Sequence, residues 1–144
     1  MRYVTMLISY TKIKNYKYEL FDDLEIMTDI TGFRVMHELF DLYANGLLMV
    51  YAGYHWDGVS GPMIDTDDSM IGGCVHDVGY QMIRLGLIPP HTKGEWDNLL
   101  KVLFSSCGMN SFRTWYAHTA VGLFGSSSCK VGDIHIPKIL TLEC

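Results

Sequence analysis

A chain of 144 residues is one domain by size and long enough to bury a real core. Its hydrophobic share of 49% against 19% charged residues is ordinary for a globular protein. Lys and Arg number 11 against 16 Asp and Glu, a net charge of −5 that argues against a nucleic-acid-binding surface; Lys12, Lys14 and Lys17 are too sparse to make one.

The longest apolar runs fall far short of the roughly 18 residues that a membrane span needs, so no transmembrane segment is expected. Residues Met1 to Tyr10 lack the basic start and small-residue cleavage site of a signal peptide, and none is expected there. The cysteines Cys74, Cys107, Cys129 and Cys144 show neither CxxC spacing nor a metal-ligand pattern. Free thiols in a reducing compartment are expected over two disulfides.

Taken in order, the chain changes character once, and the expected fold class is α+β. Residues 1 to 55 read as antiparallel β. Tyr16 to Phe21 gives one short run and Leu24 to Thr28 a second. Phe33 to Tyr43 follows as a third, with Phe33, Val35, His37 and Leu39 on one parity. Asn45-Gly46 then divides two apolar runs, a strong hairpin signal. The second arm, Leu47 to Tyr54, is nearly all apolar and reads as a central strand buried on both faces. Residues 56 to 125 read as a motif loop and a three-helix half. The first helix is expected over 69 to 86, capped by Asp68 or Ser69 and ended by Pro89-Pro90. The second runs from Thr92 to Cys107, with Trp96, Leu99/Leu100 and Leu103 at helical spacing, Asp97 on the border of that stripe, and Gly108 as its stop. Asn110 or Ser111 caps the third, with Phe112, Trp115/Tyr116, Thr119/Ala120 and Leu123 facing inward. Residues 126 to 144 read as a linker and a tail that is a last strand or an arm for a partner.

Chemistry concentrates in the middle. On the first helix His76 and Tyr80, four apart, share a face, while Asp77 points about 100° away. Gly72, Gly73 and Gly79 lie on or near the His face, at roughly 1 kcal/mol each against Ala. Something other than helicity is being served there, such as close approach of another backbone. Ester hydrolysis at neutral pH needs a base, an orienter for that base and an oxyanion stabiliser. His76 can be the base, and Asp97 is the candidate to fix its tautomer. Asp77 is free to bind a hard cation, and the Asp57 carboxylate with carbonyls of the 57–61 loop, Gly58 and Ser60 among them, would complete an oxygen shell suited to Ca²⁺. Each assignment has a plainer alternative: Asp57-Gly58 as a turn, Asp97 as a surface carboxylate, Tyr80 as core.

The order Asp57-Gly58-x-Ser60-x-Pro62, His76-Asp77-x-x-Tyr80, then Asp97 resembles a family of small uncharacterised phage and prophage proteins, across about residues 50 to 125. The same motifs are similar to the active site of phospholipase A2, especially the bacterial secreted type with its Asp-Gly-x-Ser loop, His-Asp-x-Gly-Tyr helix and an Asp about twenty residues on. Here His76 and Asp97 are 21 apart. The resemblance implies His76 as base, Asp97 as its partner, Asp77 and Asp57 as calcium ligands, and a hydrogen bond from Tyr80 to Asp97. The chain departs from the secreted enzymes at their loop-to-helix disulfide: Val59 stands where the loop cysteine belongs, and Cys74 is one place off its partner.

Two functional classes follow. One is a metal-assisted hydrolase acting on lipid or another acyl ester, in the phage virion or the host cytoplasm. The other is a non-catalytic virion component or host-interacting binder, contacting other phage proteins, that keeps the motif as a structural knot. The first needs Asp57, Asp77 and His76 on one open cleft; the second needs them buried and mutually satisfied.

Overall fold

The computed structural model describes residues 6–13, 18–57 and 65–124. They fall into two compact units, divided after Asp57. The first is all β and the second all α, which gives the α+β class expected from the sequence.

The first unit holds two antiparallel sheets. In one, β1 (Tyr10–Lys12), β2 (Tyr18–Leu20) and β7 (His55–Trp56) lie in the order β1-β2-β7. All three β2 residues are buried, as befits a central strand. Tyr10, Tyr18 and Trp56 pack there as an aromatic cluster, with Tyr18 5.4 Å from each of the other two rings. The other sheet contains β3 (Leu24–Met27), β4 (Val35–Met36), β5 (Phe40–Leu42) and β6 (Leu47–Val50), ordered β3-β6-β5-β4. Strict alternation puts Leu24, Ile26, Val35, Phe40, Leu42, Leu48 and Val50 on the buried face.

The Asn45-Gly46 signal marks the β5–β6 hairpin. Tyr43 N–H donates to Leu47 O and closes a three-residue loop, in which Gly46 N–H donates to Tyr43 O and Gly46 itself takes φ +94. A side chain at Gly46 would also strike the Thr28 carbonyl, 2.2 Å from an ideal Cβ. Two strand expectations are corrected. Strand β6 is central, but only Leu48 and Val50 are buried, while Leu47 and Met49 are half-buried on the outer face. The run Phe33 to Tyr43 is not one strand, because His37 turns it into the β4–β5 hairpin. The His37 N–H donates to Phe40 O at 3.0 Å, and the Leu39 N–H donates to His37 Nδ1, also at 3.0 Å.

The second unit consists of α1 (Met70–Arg84), α2 (Lys93–Ser106) and α3 (Ser111–Phe124). A short 3-10 turn, Asp67–Ser69, leads into α1. Ser69 holds the cap position, but its hydroxyl turns back to the Thr66 backbone, accepting from the N–H and donating to the carbonyl, each at 2.9 Å. The α1 terminus is set by Gly86 rather than by Pro89-Pro90. Gly86, at φ +72, donates to Ile83 O and Leu87 N–H reaches Met82 O, the paired bonds of a Schellman turn. Gly108 ends α2 the same way, with Met109 N–H on Phe104 O. Asn110 caps α3, its Oδ1 accepting from Arg113 N–H at 2.8 Å.

Helix α1 is buried almost all round: from Met70 to Ile83 only Asp77 keeps partial exposure. Gly72 and Gly79 answer to side chains of α2, not to a neighbouring backbone. A Cβ on Gly72 would lie 2.5 Å from the Phe104 ring, and one on Gly79 would lie 2.1 Å from the Trp96 ring. The two contacts run in opposite directions along the helices, so α1 and α2 are antiparallel with aromatic rings seated in glycine gaps.

The inward face of α3 also differs from expectation. Phe112, Trp115, Tyr116 and Leu123 are exposed; Ala120 is buried as expected, but its buried companions are Thr114, Ala117 and Val121. Ala117 and Val121 join Leu100, Phe104 and Met109 in one apolar cluster. Leu100 and Phe104 already fill that space, so only the small-residue face of α3 can come close enough to pack.

Candidate functional site

Helical geometry brings His76 and Tyr80 to the α1 face that meets α2, and Asp97 to the α2 face that meets α1. His76 Nε2 lies 2.7 Å from Asp97 Oδ1, and the Tyr80 hydroxyl donates to the same oxygen at 2.6 Å. The rings of His76 and Tyr80 are 4.0 Å apart between centroids. All three residues are buried, His76 at 4%, Tyr80 at 2% and Asp97 at 5% exposure. An ionised carboxylate only accepts, so Nε2 carries the proton shared with it, and in the neutral imidazole the lone pair then falls on Nδ1.

A fourth member was not anticipated. Lys93 Nζ donates to Asp97 Oδ2 at 2.7 Å and to the Val121 carbonyl at 3.3 Å, tying α3 to the dyad. Lys93 is the first residue of α2, where a cation opposes the helix dipole. It also precedes its acidic partner by four residues, the weaker orientation for a surface pair. A local rule broken twice at one position was the available signal, because such conflicts gather at sites with another purpose.

Three donors on one carboxylate decide its charge. Burial alone pushes the Asp97 carboxyl up, but the hydrogen bonds from His76, Lys93 and Tyr80 overcome it and hold it down at about 2, against an ordinary 3.8. A folded value below the unfolded one means that the stabilisation is complete above pH ~4–5 and is lost as pH falls through 3.8 towards 2. The amount is about 2 kcal/mol. Lys93→Met removes one donor, so the Asp97 value should rise and the loss of stability between pH 5 and pH 2 should shrink. Urea midpoints across that range for both proteins measure it. Identical acid dependence would show that Lys93 does not hold the carboxylate.

The other site residues are Asp57, Asp77, Gly58 and Ser60. Asp57 is exposed and ends the first unit, directly after β7, while Asp77 is half-buried on α1 in the second. Gly58 and Ser60, with the rest of the 58–64 loop, lie outside the described residues. Among the described residues no three His, Cys, Asp or Glu side chains gather to hold a metal ion. Cys74 and Cys107 are free thiols, and burial pushes the Cys74 thiol well up; Cys129 and Cys144 lie outside the described residues. No described helix is long and apolar enough to cross a membrane.

A second buried His–carboxylate pair occurs in the first unit. His55 Nε2 lies 3.1 Å from Glu19 Oε1, the two residues facing each other directly in the β2–β7 register. Nothing in the sequence announces a pair 36 positions apart. Compared with known proteins, the chain matches no family model, no curated protein and no solved structure.

Proposed function

We propose that His76 and Asp97 form the general-base dyad of a metal-assisted acyl-ester hydrolase, laid out as in phospholipase A2, in a small phage-encoded protein of the virion or host cytoplasm. The observation that carries the reading is the 2.7 Å contact from His76 Nε2 to Asp97 Oδ1, with Tyr80 on the same oxygen. With Nε2–H held by the carboxylate, Nδ1 takes a proton from water as that water attacks the ester carbonyl. Asp97 steadies the resulting imidazolium. When the tetrahedral adduct collapses, the same nitrogen returns the proton to the departing alkoxide, so atoms and charge balance. A Ca²⁺ on Asp57, Asp77 and the Gly58 and Ser60 carbonyls would supply the oxyanion stabilisation. The test is release of fatty acid from mixed phospholipid vesicles, and of acid from a soluble short-chain ester, each with Ca²⁺ and with chelator.

Burial favours a second reading. His76, Tyr80 and Asp97 are nearly closed to solvent and satisfy one another. In that case the motif is a structural knot in a non-catalytic virion component or host-directed binding protein. Calcium separates the two. Saturating Ca²⁺ should raise stability by RT ln(1 + [L]/Kd), about 2.7 kcal/mol at a hundredfold excess over Kd. Asp77→Asn should remove that gain and leave the fold intact. A melting temperature indifferent to millimolar Ca²⁺ favours the knot.

A further inference from the structure

Strand β3 lies at one edge of its four-stranded sheet, with β6 on one side and no described strand on the other. The register fixes which of its backbone groups that pairing uses. Thr28 N–H donates to Gly46 O, so by alternation the pairs Ile26–Leu48 and Leu24–Val50 exchange hydrogen bonds too. Tyr43 N–H on Leu47 O agrees, since it turns Leu47 and Met49 towards β5. The amides and carbonyls of Glu25 and Met27 therefore point away from β6, and no described residue takes them up. Both side chains are exposed, Met27 at 56%, so the edge is open. Unpaired donors and acceptors along an open edge are a template for another strand.

Charge selects the kind of strand. Asp22, Asp23, Glu25 and Asp29 are all exposed on or beside β3, and none has an ion-pair partner among the described residues. From residue 18 to residue 33 the chain has no Lys or Arg to offset them. A second copy would set one acidic edge against another, and like charges facing each other across strands are destabilising. A strand with Lys or Arg facing Glu25 gains an opposite-charge pair instead, in the field of the neighbouring carboxylates. The inner face asks for something different, because Leu24 and Ile26 are buried there beside Leu48 and Val50 of β6. Residues of an added strand opposite Leu24 and Ile26 extend that apolar layer, while those opposite Glu25 and Met27 stay outside. A Lys over Met27 covers it with its own methylene stem. The far edge of the sheet does not compete: β4 is two residues long and follows the exposed Arg34.

We propose that the open edge of β3 takes up, as a fifth and antiparallel strand, an extended segment of another protein in which basic and apolar residues alternate. Its basic residues face Glu25 and Met27 and exchange backbone hydrogen bonds with them. Its apolar residues face inward, level with Leu24 and Ile26. Main-chain bonds hold the segment, and the carboxylates decide which segment it is. Neither His76 nor Asp97 takes part, so strand addition is independent of any turnover at the dyad.

The test uses the full chain and a synthetic peptide, Lys-Val-Lys-Ile-Lys-Val, blocked at both ends, with amide hydrogen exchange followed by NMR. The peptide should bind saturably and slow exchange of the Glu25 and Met27 amides at least tenfold. Leu24 and Ile26, already bonded to β6, should be unchanged. N-methylation of the Lys amides, which face β3, should abolish binding, and N-methylation of the Val and Ile amides should not. A peptide with Glu in place of every Lys should not bind. Glu25→Lys should weaken binding at least tenfold at an unchanged melting temperature. Met27→Pro is the second variant: it deletes an N–H that β6 does not use, and should lose the peptide while keeping the sheet. Four results would overturn the proposal. They are no binding by the wild type, equal binding of the acidic peptide, equal loss from either methylation pattern, which would mean charge attraction without a strand, or a peptide-free dimer that protects the same two amides, which would give the edge to a second copy.

Discussion

Asp97→Ala should destabilise the helical unit by roughly 3–5 kcal/mol, the range for removing one partner of a buried, charged network. The carboxylate accepts from three donors, His76 Nε2, the Tyr80 hydroxyl and Lys93 Nζ. Without it the Lys93 ammonium, 20% exposed at its side chain, has lost its counter-charge, and two buried donors have lost their acceptor. Asp97→Asn should cost less, because an amide oxygen still accepts, yet it leaves Lys93 uncompensated. Urea unfolding of both variants beside the wild type gives the comparison. A loss below about 1 kcal/mol for Asp97→Ala, the range of ordinary surface substitutions, would mean that the cluster contributes little to holding α1 against α2.

The second large effect comes from a residue with no side chain. Gly79→Ala adds a Cβ 2.1 Å from the Trp96 ring, which is fully buried and has nowhere to go. Overpacking of this kind costs 1–3 kcal/mol or more. The intrinsic preference of a helix for Ala over Gly returns about 1 kcal/mol, so a net loss of about 1–2 kcal/mol is expected from a contact this close. Trp96 precedes Asp97, so the shift should also loosen the contact to His76. Gly94→Ala is the control: nothing lies within 4 Å of a Cβ there, and the same substitution should stabilise by a few tenths to about 1 kcal/mol. If both substitutions moved the urea midpoint the same way, helix propensity and not the Trp96 contact would govern Gly79.

The α+β division and the three helices were legible because their signals are local. Asn45-Gly46, Gly108 and Asn110 each act within a few residues of themselves, and each does what its chemistry dictates. The His76–Asp97 contact was legible from motif order, since one helical face carries His76 and Tyr80 and the next helix carries Asp97. What failed depended on competition between distant parts. Nothing in residues 33 to 43 shows that His37 Nδ1 will accept from the Leu39 amide and fold the run into a hairpin. The two apolar sides of α3 are equally periodic, and only the bulk of Leu100 and Phe104 decides which one is buried. Gly72 and Gly79 signalled a close approach, but not that aromatic rings would be what approached. Lys93 drew no reading from the sequence, because its role depends on Asp97 and the Val121 carbonyl being placed around it.

The measurement that bears most directly on His76 as a base is a paired one on His76→Gln, stability and hydrolysis in the same preparation. Lys93 and Tyr80 still satisfy Asp97 in this variant, and the glutamine amide can replace the Nε2–H donor. Stability should therefore fall by less than about 1.5 kcal/mol, within the ordinary range for point substitutions. Glutamine cannot take a proton from water, so any esterase activity of the wild type, on vesicles or on the soluble ester, should disappear. That combination, a folded protein without turnover, is the expected result. A wild type inert on both substrates, with and without Ca²⁺, together with a large stability loss in His76→Gln, would contradict it and leave the His76–Asp97 pair as part of the fold.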